Sequence, residues 1–539
     1  MNVAEAVGQL LAGQGVRHAF GVVGSGNFHV TNALIEAGAA FHAAAHEGGA
    51  ASMADGYARV SGELAVLTVH QGPGLTNALT GITEAAKART PLLVLVPEAT
   101  SPRSNFFIEV AGIAAAIGAG YRRVTAQTVG SDVLWASAAA RAGAGQTILL
   151  GLPLDVQAME ASGWIGGGHR PEPSTLEAGP LVSALAAARR PVFIAGRGAT
   201  RSPGAREALL ELADACGALL AVSAAAKGFF AGDPWYIDVS GGFATPLAAE
   251  LIGEADLVVA WGSTLNMWTT RHGKLIKPGT VVAQVDLDPE ALGVNRPVDV
   301  GVVGDLAAAA SACARELPPH EGWRTPQLRD RIATEGRWSS VSYVDESTAD
   351  AIDPRTLSIA LDKLLPQQRT VVVDSGNFMG YPSMYLSVPD AAGFCFTQAY
   401  QSIGLGLASA LGAAVARPDR LTVAALGDGG FLMSAAELAT AARLAAPLLV
   451  VVYNDAAYGA EVHHFGPDGY RLSTVTFPET DLAAIAAGYG CAGATVRESA
   501  DLAAVHDWLA GRKDRPLVVD AKVVSAHGAW WLEEAFRGH

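Results

Sequence analysis

The sequence predicts an α/β protein of three doubly wound domains with mostly parallel sheets, and three observations carry that prediction. Short apolar runs of strand length alternate throughout with Ala/Leu-rich helical stretches, the pattern of βαβ units. The 539 residues exceed what one core accommodates, at roughly 100–200 residues per domain. Half of the residues are hydrophobic and only 17% are charged, which suits sheets covered on both faces and surface buried between subunits.

Taken in order, the first block (1–160) offers "HAFGVV", "FHAAAH", "LAVLTVH", "PLLVLVP" and "TILLGLP" as strands and ends near Val156. The Gly/Pro-rich run "SGWIGGGHRPEPS" reads as a linker. A middle block (175–320) contributes "PVFIAG", "LLAVS", "DLVVAWG" and "TVVAQVDLD" and fades near "ELPPHEGWRTP". After a polar stretch, the third block (350–526) supplies "TVVVDSG", "GFCFTQ", "LTVAALGDGG", "PLLVVVYND" and "PLVVDAKVV", and a tail (527–539) carries Trp530 and Trp531. There is no short-period repeat; what repeats is the whole α/β domain.

Charge and cysteine usage narrow the function. A net charge of −15 and a pI near 5.3 argue against nucleic acid or an anionic membrane as partner and favour a small molecule. Cys216, Cys313, Cys395 and Cys491 are far apart and form no C-x-x-C, so neither a zinc site nor a disulfide framework is expected. The start lacks a charged n-region and apolar core, and no apolar run approaches the ~20 residues of a membrane span. These features lead to the expectation of a cytoplasmic protein.

Residues 427–459, "GDGGFLMSAAELATAARLAAPLLVVVYNDAAYG", carry the first chemistry. Gly427-Asp428-Gly429 falls just past the strand "LTVAAL", and the next strand delivers Asn454 to the same sheet edge, where open α/β sheets bind ligands. Two oxygen-bearing side chains beside a glycine turn at a helix start suit a hard cation and a phosphate together. With 24 residues between the GDG and Asn454, the segment resembles the thiamine diphosphate (ThDP) motif, GDG followed some two dozen residues later by N-N or N-D. The resemblance implies that Asp428, Asn454 and the backbone carbonyl of Ala456 hold Mg²⁺ against the diphosphate. Gly427, Gly429, Gly430, Tyr458 and Gly459 would complete that cofactor-binding segment.

A second match is independent of the first. "AAHEGGAASMADGYARVSG", residues 44–62, resembles the H-E-x-A-x-x-x-A-x-G-Y-A-R-x-T-G signature of the acetolactate synthase and 2-oxo acid decarboxylase family of ThDP enzymes. Glu47 stands where the family has its activating glutamate, which hydrogen-bonds N1′ of the aminopyrimidine. At the start of an Ala/Gly-rich helix it is expected to be largely buried, and burial raises a carboxylate's affinity for a proton. "QGPGLTN", from Gln71, resembles the family's S-G-P-G-x-x-N run. In "TQAYQSIGLGLASALG", Ile403 takes the place of the bulky residue that bends the cofactor, and the Gln401 carbonyl that of the acceptor for its 4′-amino group. Asn377 falls where relatives often reach the diphosphate. The resemblance implies pyrimidine-binding, middle and diphosphate-binding domains. It also implies a homodimer or dimer of dimers in which Glu47 of one subunit meets Asp428 of another.

The departures bear on substrate and outcome. His70-Gln71 replaces the Thr-Ser typical of acetolactate synthases, and a histidine there resembles benzoylformate decarboxylase, which uses it for proton transfer; Ser25 also matches that enzyme's serine near the substrate carboxylate. "STLNMWTTRHG" follows the strand "DLVVAWG" where FAD-binding relatives carry an Arg-x-Asp-Asp-Arg-like run, so FAD is not expected. Ile108-Glu109 replaces a Gln-Glu pair. Glu461, His463 and His464 are candidates for the mouth of the site, and the tail for a lid. The expected activity is decarboxylation of a 2-oxo acid with carboligation to a second carbonyl, and the alternative is release of an aldehyde.

Overall fold

The computed structural model describes residues 1–162 and 176–532. The expected linker, at 162–174, lies almost wholly outside the described residues, as does the tail beyond Leu532. Three six-stranded sheets, parallel throughout, build the molecule. The first uses β1 (His18–Gly21), β2 (Ala40–Ala43), β3 (Ala65–Thr68), β4 (Leu92–Glu98), β5 (Gly120–Arg123) and β6 (Thr147–Pro153), in the order β2-β1-β3-β4-β6-β5. The second uses β7 (Pro191–Ala195), β8 (Leu219–Val222), β9 (Tyr236–Val239), β10 (Leu257–Trp261), β11 (Val281–Asp286) and β12 (Val300–Val303), in the order β12-β11-β10-β7-β8-β9. The third uses β13 (Arg369–Val373), β14 (Phe394–Phe396), β15 (Leu421–Gly427), β16 (Leu448–Asn454), β17 (Ala492–Val496) and β18 (Leu517–Lys522), in the order β14-β13-β15-β16-β18-β17.

The first and third sheets therefore share one order, and both reverse direction of winding beside their second-listed strand, between β1 and β3 and between β13 and β15. Ligands of open α/β sheets bind at such switch points, beyond the carboxyl ends of the strands. The central strands are Val/Leu runs buried on both faces, as parallel sheets under two helix layers require: all seven residues of β4, of β6 and of β16 are buried.

Five helices matter for the site: α1 (Glu47–Ser61), α2 (Pro73–Lys87), α3 (Gly406–Ala416), α4 (Asp428–Ser434) and α5 (Glu437–Leu444). Helix α1 lies between α2 and α3, at backbone contact. A Cβ on Gly56 would lie 2.2 Å from the Ser409 oxygen, and one on Gly412 would lie 1.9 Å from the Met53 oxygen. Only glycine permits that approach. This seam joins the first domain to the third through Ala50, Met53, Ala54, Leu407 and Leu411. All four cysteines are free and buried, and no helix among the described residues is long and apolar enough to cross a membrane.

Candidate active site

At the switch point of the third sheet, Gly427 ends β15 and Asp428 opens α4, so the Gly-Asp-Gly run turns the chain from strand to helix at the sheet edge. Gly429 must lack a side chain, because a Cβ would lie 2.5 Å from the Tyr458 ring; at Gly459 one would lie 2.3 Å from Asp455 Oδ2. Asp428 is 6% exposed, accepts the Ala457 N–H and also hydrogen-bonds the half-buried carboxyl of Asp455. Burial pushes both carboxyls up, reinforced at Asp455 by the charge of Asp428 and at Asp428 by that of Asp520. Two acids side by side with no cationic side chain between them suit a divalent cation that draws its remaining ligands from elsewhere.

Asn454 and Ala456 were expected beside Asp428 and are turned elsewhere. Asn454 donates from Nδ2 to buried Asp520 at 2.8 Å and accepts the Ala456 N–H at 3.1 Å. The Ala456 carbonyl accepts the Phe477 N–H at 2.8 Å. Side chains alternate across a strand, so Asn454 at the end of β16 faces β18 while Tyr453 and Asp455 face the cavity. The acid facing Asp428 is Asp455.

A cavity of ≈ 1010 Å³ opens here, with walls from all three domains. It gathers Asn377, Gln401, Ile403, Gly427, Asp428, Gly429, Gly430, Tyr458 and Gly459, together with Asp455, Ala457 and Glu461. Asn377 leaves its Oδ1 buried without a partner among the described residues, so a polar group is wanted beside it. Gln401 holds a left-handed φ of +62°, and Ile403 is half-buried. A glycine cradle, a carboxylate pair and the Asn377 amide, whose NH₂ can donate to a phosphate oxygen, together fit a magnesium diphosphate group.

Glu47, His70 and Ser25 form a second cluster, at the switch point of the first sheet and outside the wall of that cavity. The loop after β1 is fixed by Asn27, fully buried, which accepts the Gly24 N–H and donates to the Val22 carbonyl and to Thr68 Oγ1. This lays the loop on His70, whose Nδ1 accepts the Gly26 N–H at 3.2 Å. A neutral His70 therefore carries its proton on Nε2. Ser25, in the same loop, is exposed. Glu47 opens α1 and accepts the Asn77 Nδ2–H at 3.1 Å. Glu47 is half-buried rather than largely buried as expected, since the described residues leave this end of the sheet partly open.

Three buried carboxylates went unrecognised in the sequence. Glu437, on α5, accepts the backbone N–H groups of Ala45 and His46, just ahead of Glu47. Asp374, at the end of β13, accepts those of Gly404 and Leu405. Glu84, on α2, accepts those of Ala399 and Tyr400. Of the later candidates, Glu461 reaches the cavity and His463 packs on Gly528. Trp531, 2% exposed, packs on Gly380 and Tyr381, so the start of the tail belongs to the body.

Comparison with known proteins agrees with this geometry. Three models of thiamine pyrophosphate (that is, thiamine diphosphate) enzymes match: the N-terminal TPP binding domain over residues 1–111, the central domain over 180–313 and the C-terminal TPP binding domain over 374–521. A probable 2-ketoarginine decarboxylase of Pseudomonas aeruginosa is 30% identical over 93% of this chain and 90% of its own. The chain belongs to the thiamine pyrophosphate enzyme family. Within that family a sulfoacetaldehyde acetyltransferase of Roseovarius nubinhibens is 28% identical over 93% of this chain and 88% of its own. The fold is also that of a thiamine diphosphate-dependent 4-hydroxybenzoylformate decarboxylase from Rhodococcus jostii, with a TM-score of 0.82 at 20% identity over 97% of this chain and 99% of that one. Relatives of both kinds make this ThDP-family enzyme a transferase or a carboxy-lyase.

Proposed function

We propose that this ThDP-family enzyme, with Mg²⁺ and without FAD, decarboxylates a 2-oxo acid and joins the remaining fragment to a second carbonyl compound. It would act in the cytoplasm as a homodimer or dimer of dimers. The observation that carries the reading is the Asp428–Asp455 pair beside a glycine cradle at the switch point of the third sheet. When bound, ThDP supplies the carbon that takes up the electron pair left by carbon dioxide.

The chain's residues then divide the work. Asp428 and Asp455 hold the cation, and Asn377 and the Gly427–Gly430 turn hold the diphosphate. Ile403 and the Gln401 carbonyl support the bent cofactor. Glu47, supplied by a second copy of the chain, holds a proton against N1′ of the aminopyrimidine; its half-buried position on a partly open sheet edge supports that arrangement. Ser25 and His70 lie beside it and would bind the substrate carboxylate and move a proton at Nε2. The acetyltransferase relative supports transfer of the fragment to an acceptor over its release.

A second reading is release of the aldehyde, and it is favoured by the Nε2–H tautomer of His70, since a free N–H there can protonate the decarboxylated fragment. NMR product analysis with ThDP, Mg²⁺ and a panel of 2-oxo acids, alone and with acceptor aldehydes, separates the two. A 2-hydroxy ketone as main product is expected; free aldehyde as main product overturns carboligation. Aldehyde formed at the wild-type rate by His70→Ala would remove the histidine from the second reading.

A further inference from the structure

The segment between β14 and α3 forms an arch over the cavity, and its cofactor-facing residues are strained. Gln401 sits at φ +62°, a region that a residue with a side chain occupies only when its surroundings impose it. The arch itself is exposed at Ala399, Tyr400 and Gln401, so packing does not impose that conformation. Two buried carboxylates grip its feet instead. On the far side, Asp374, fully buried, accepts the Gly404 N–H at 2.8 Å and the Leu405 N–H at 3.3 Å. On the near side the grip comes from another domain. Glu84, 1% exposed on α2, accepts the Ala399 N–H at 3.0 Å through Oε1 and the Tyr400 N–H at 2.5 Å through Oε2.

We propose that Glu84 is a positioning residue, through which the first domain sets the backbone of the arch that presents Gln401 and Ile403 to the cofactor. The inference rests on the reading of the cavity as the cofactor site. The surroundings of Glu84 are built for this task. Arg59 donates to Glu84 Oε1 at 2.7 Å and to the Phe396 carbonyl at 2.9 Å, gripping the strand that leads into the arch; Lys87 lies over the Tyr400 ring at 5.5 Å. Arg59 is also paired with Asp55, so one guanidinium serves two buried carboxylates, and the Ala399 and Tyr400 N–H groups of the arch supply Glu84 with its remaining donors. A carboxylate is required because Ala399, Arg59 and Tyr400 donate to both of its oxygens. A glutamine would offer one oxygen and turn its NH₂ towards one of those donors.

The test reads the arch directly. Hydrogen exchange at the Ala399 and Tyr400 amides is followed in the cofactor-free full-length protein, and ThDP binding is titrated in the presence of Mg²⁺. Glu84→Gln removes one acceptor oxygen; Glu84→Asp keeps the charge and the pairing with Arg59 but withdraws the oxygens by one methylene. Both variants are expected to exchange about tenfold faster at those amides and to bind ThDP about tenfold more weakly, the cost of one charge-assisted hydrogen bond. Asp55→Asn perturbs the same buried cluster without touching the arch, and is expected to lower the melting temperature while leaving both readouts at wild-type values. Wild-type exchange and affinity in both Glu84 variants would overturn the proposal, as would an Asp55→Asn effect on the arch equal to theirs. If wild-type protein does not bind ThDP, the cofactor reading fails, and the exchange measurement still decides whether Glu84 holds the arch.

Discussion

The first and third domains share a strand order and place their polar residues at the same switch point, yet they finish that edge in opposite ways. In the third domain two acids hydrogen-bond each other in a cavity walled by all three domains of the chain. In the first, an imidazole, a half-buried glutamate and an exposed serine lie on an edge that the described residues leave partly open. A shared fold thus fixes where chemistry occurs and leaves open which chemistry it is. On the proposed reading the edge of the third domain binds the diphosphate and the edge of the first does the acid–base work.

The variant that cuts deepest into this contrast is Glu47→Ala. Turnover should fall by ~10²–10⁴-fold, the range of a lost acid–base group, with ThDP affinity nearly unchanged by calorimetry; lost binding would make both edges binding edges. Next, Asp455→Asn should weaken Mg²⁺-dependent ThDP binding by about 100-fold, since even outer-shell partners of a metal cost 10–100-fold. Asn454→Ala should mainly lower the melting temperature, because its partner Asp520 is left buried. Equal effects of the two on metal binding would restore Asn454 as a ligand.

The same contrast has a pH signature. Burial pushes Asp455 up to about 7 and Asp428 up to about 6, so protons compete with the cation. Mg²⁺ affinity should be full above about pH 8 and decline as pH falls through 7 towards 6; a flat calorimetric profile would show that these acids do not bind the metal. The smallest effect is expected from Glu437→Gln. It loosens the turn before Glu47 and should lower turnover about tenfold with ThDP affinity held, the cost of roughly one charge-assisted hydrogen bond.

Legibility in the sequence followed burial. Strands in the middle of the sheets are apolar runs and were readable; the four that were not, β5, β9, β12 and β17, all lie at sheet edges, where half-exposed residues such as those of "GYRR" replace Val and Leu. The cavity residues Asn377, Gln401, Ile403 and Gly427–Gly430 were readable because local motifs place them. The motif points to Asn454, whereas the residue that meets Asp428 is Asp455, which the two-residue period of the strand places on the face of Tyr453. Glu84 and Glu437 carry no local signal. They act on backbone 315 to 392 residues away in the sequence, and only the packed chain brings them there.

The glycine seam between α1 and α3 has a mechanical consequence. With Gly56 and Gly412 pressed onto the backbone of the opposing helix, these helices have no side-chain layer on which to slide, and rotation would drive carbonyl oxygens into neighbouring atoms. The first and third domains of one chain therefore move as a single stiff body. Whatever opening admits a substrate and discharges a product must come from elsewhere. Phe106, exposed in the surface loop 101–109 and edge-on to the His70 ring, lies outside that seam.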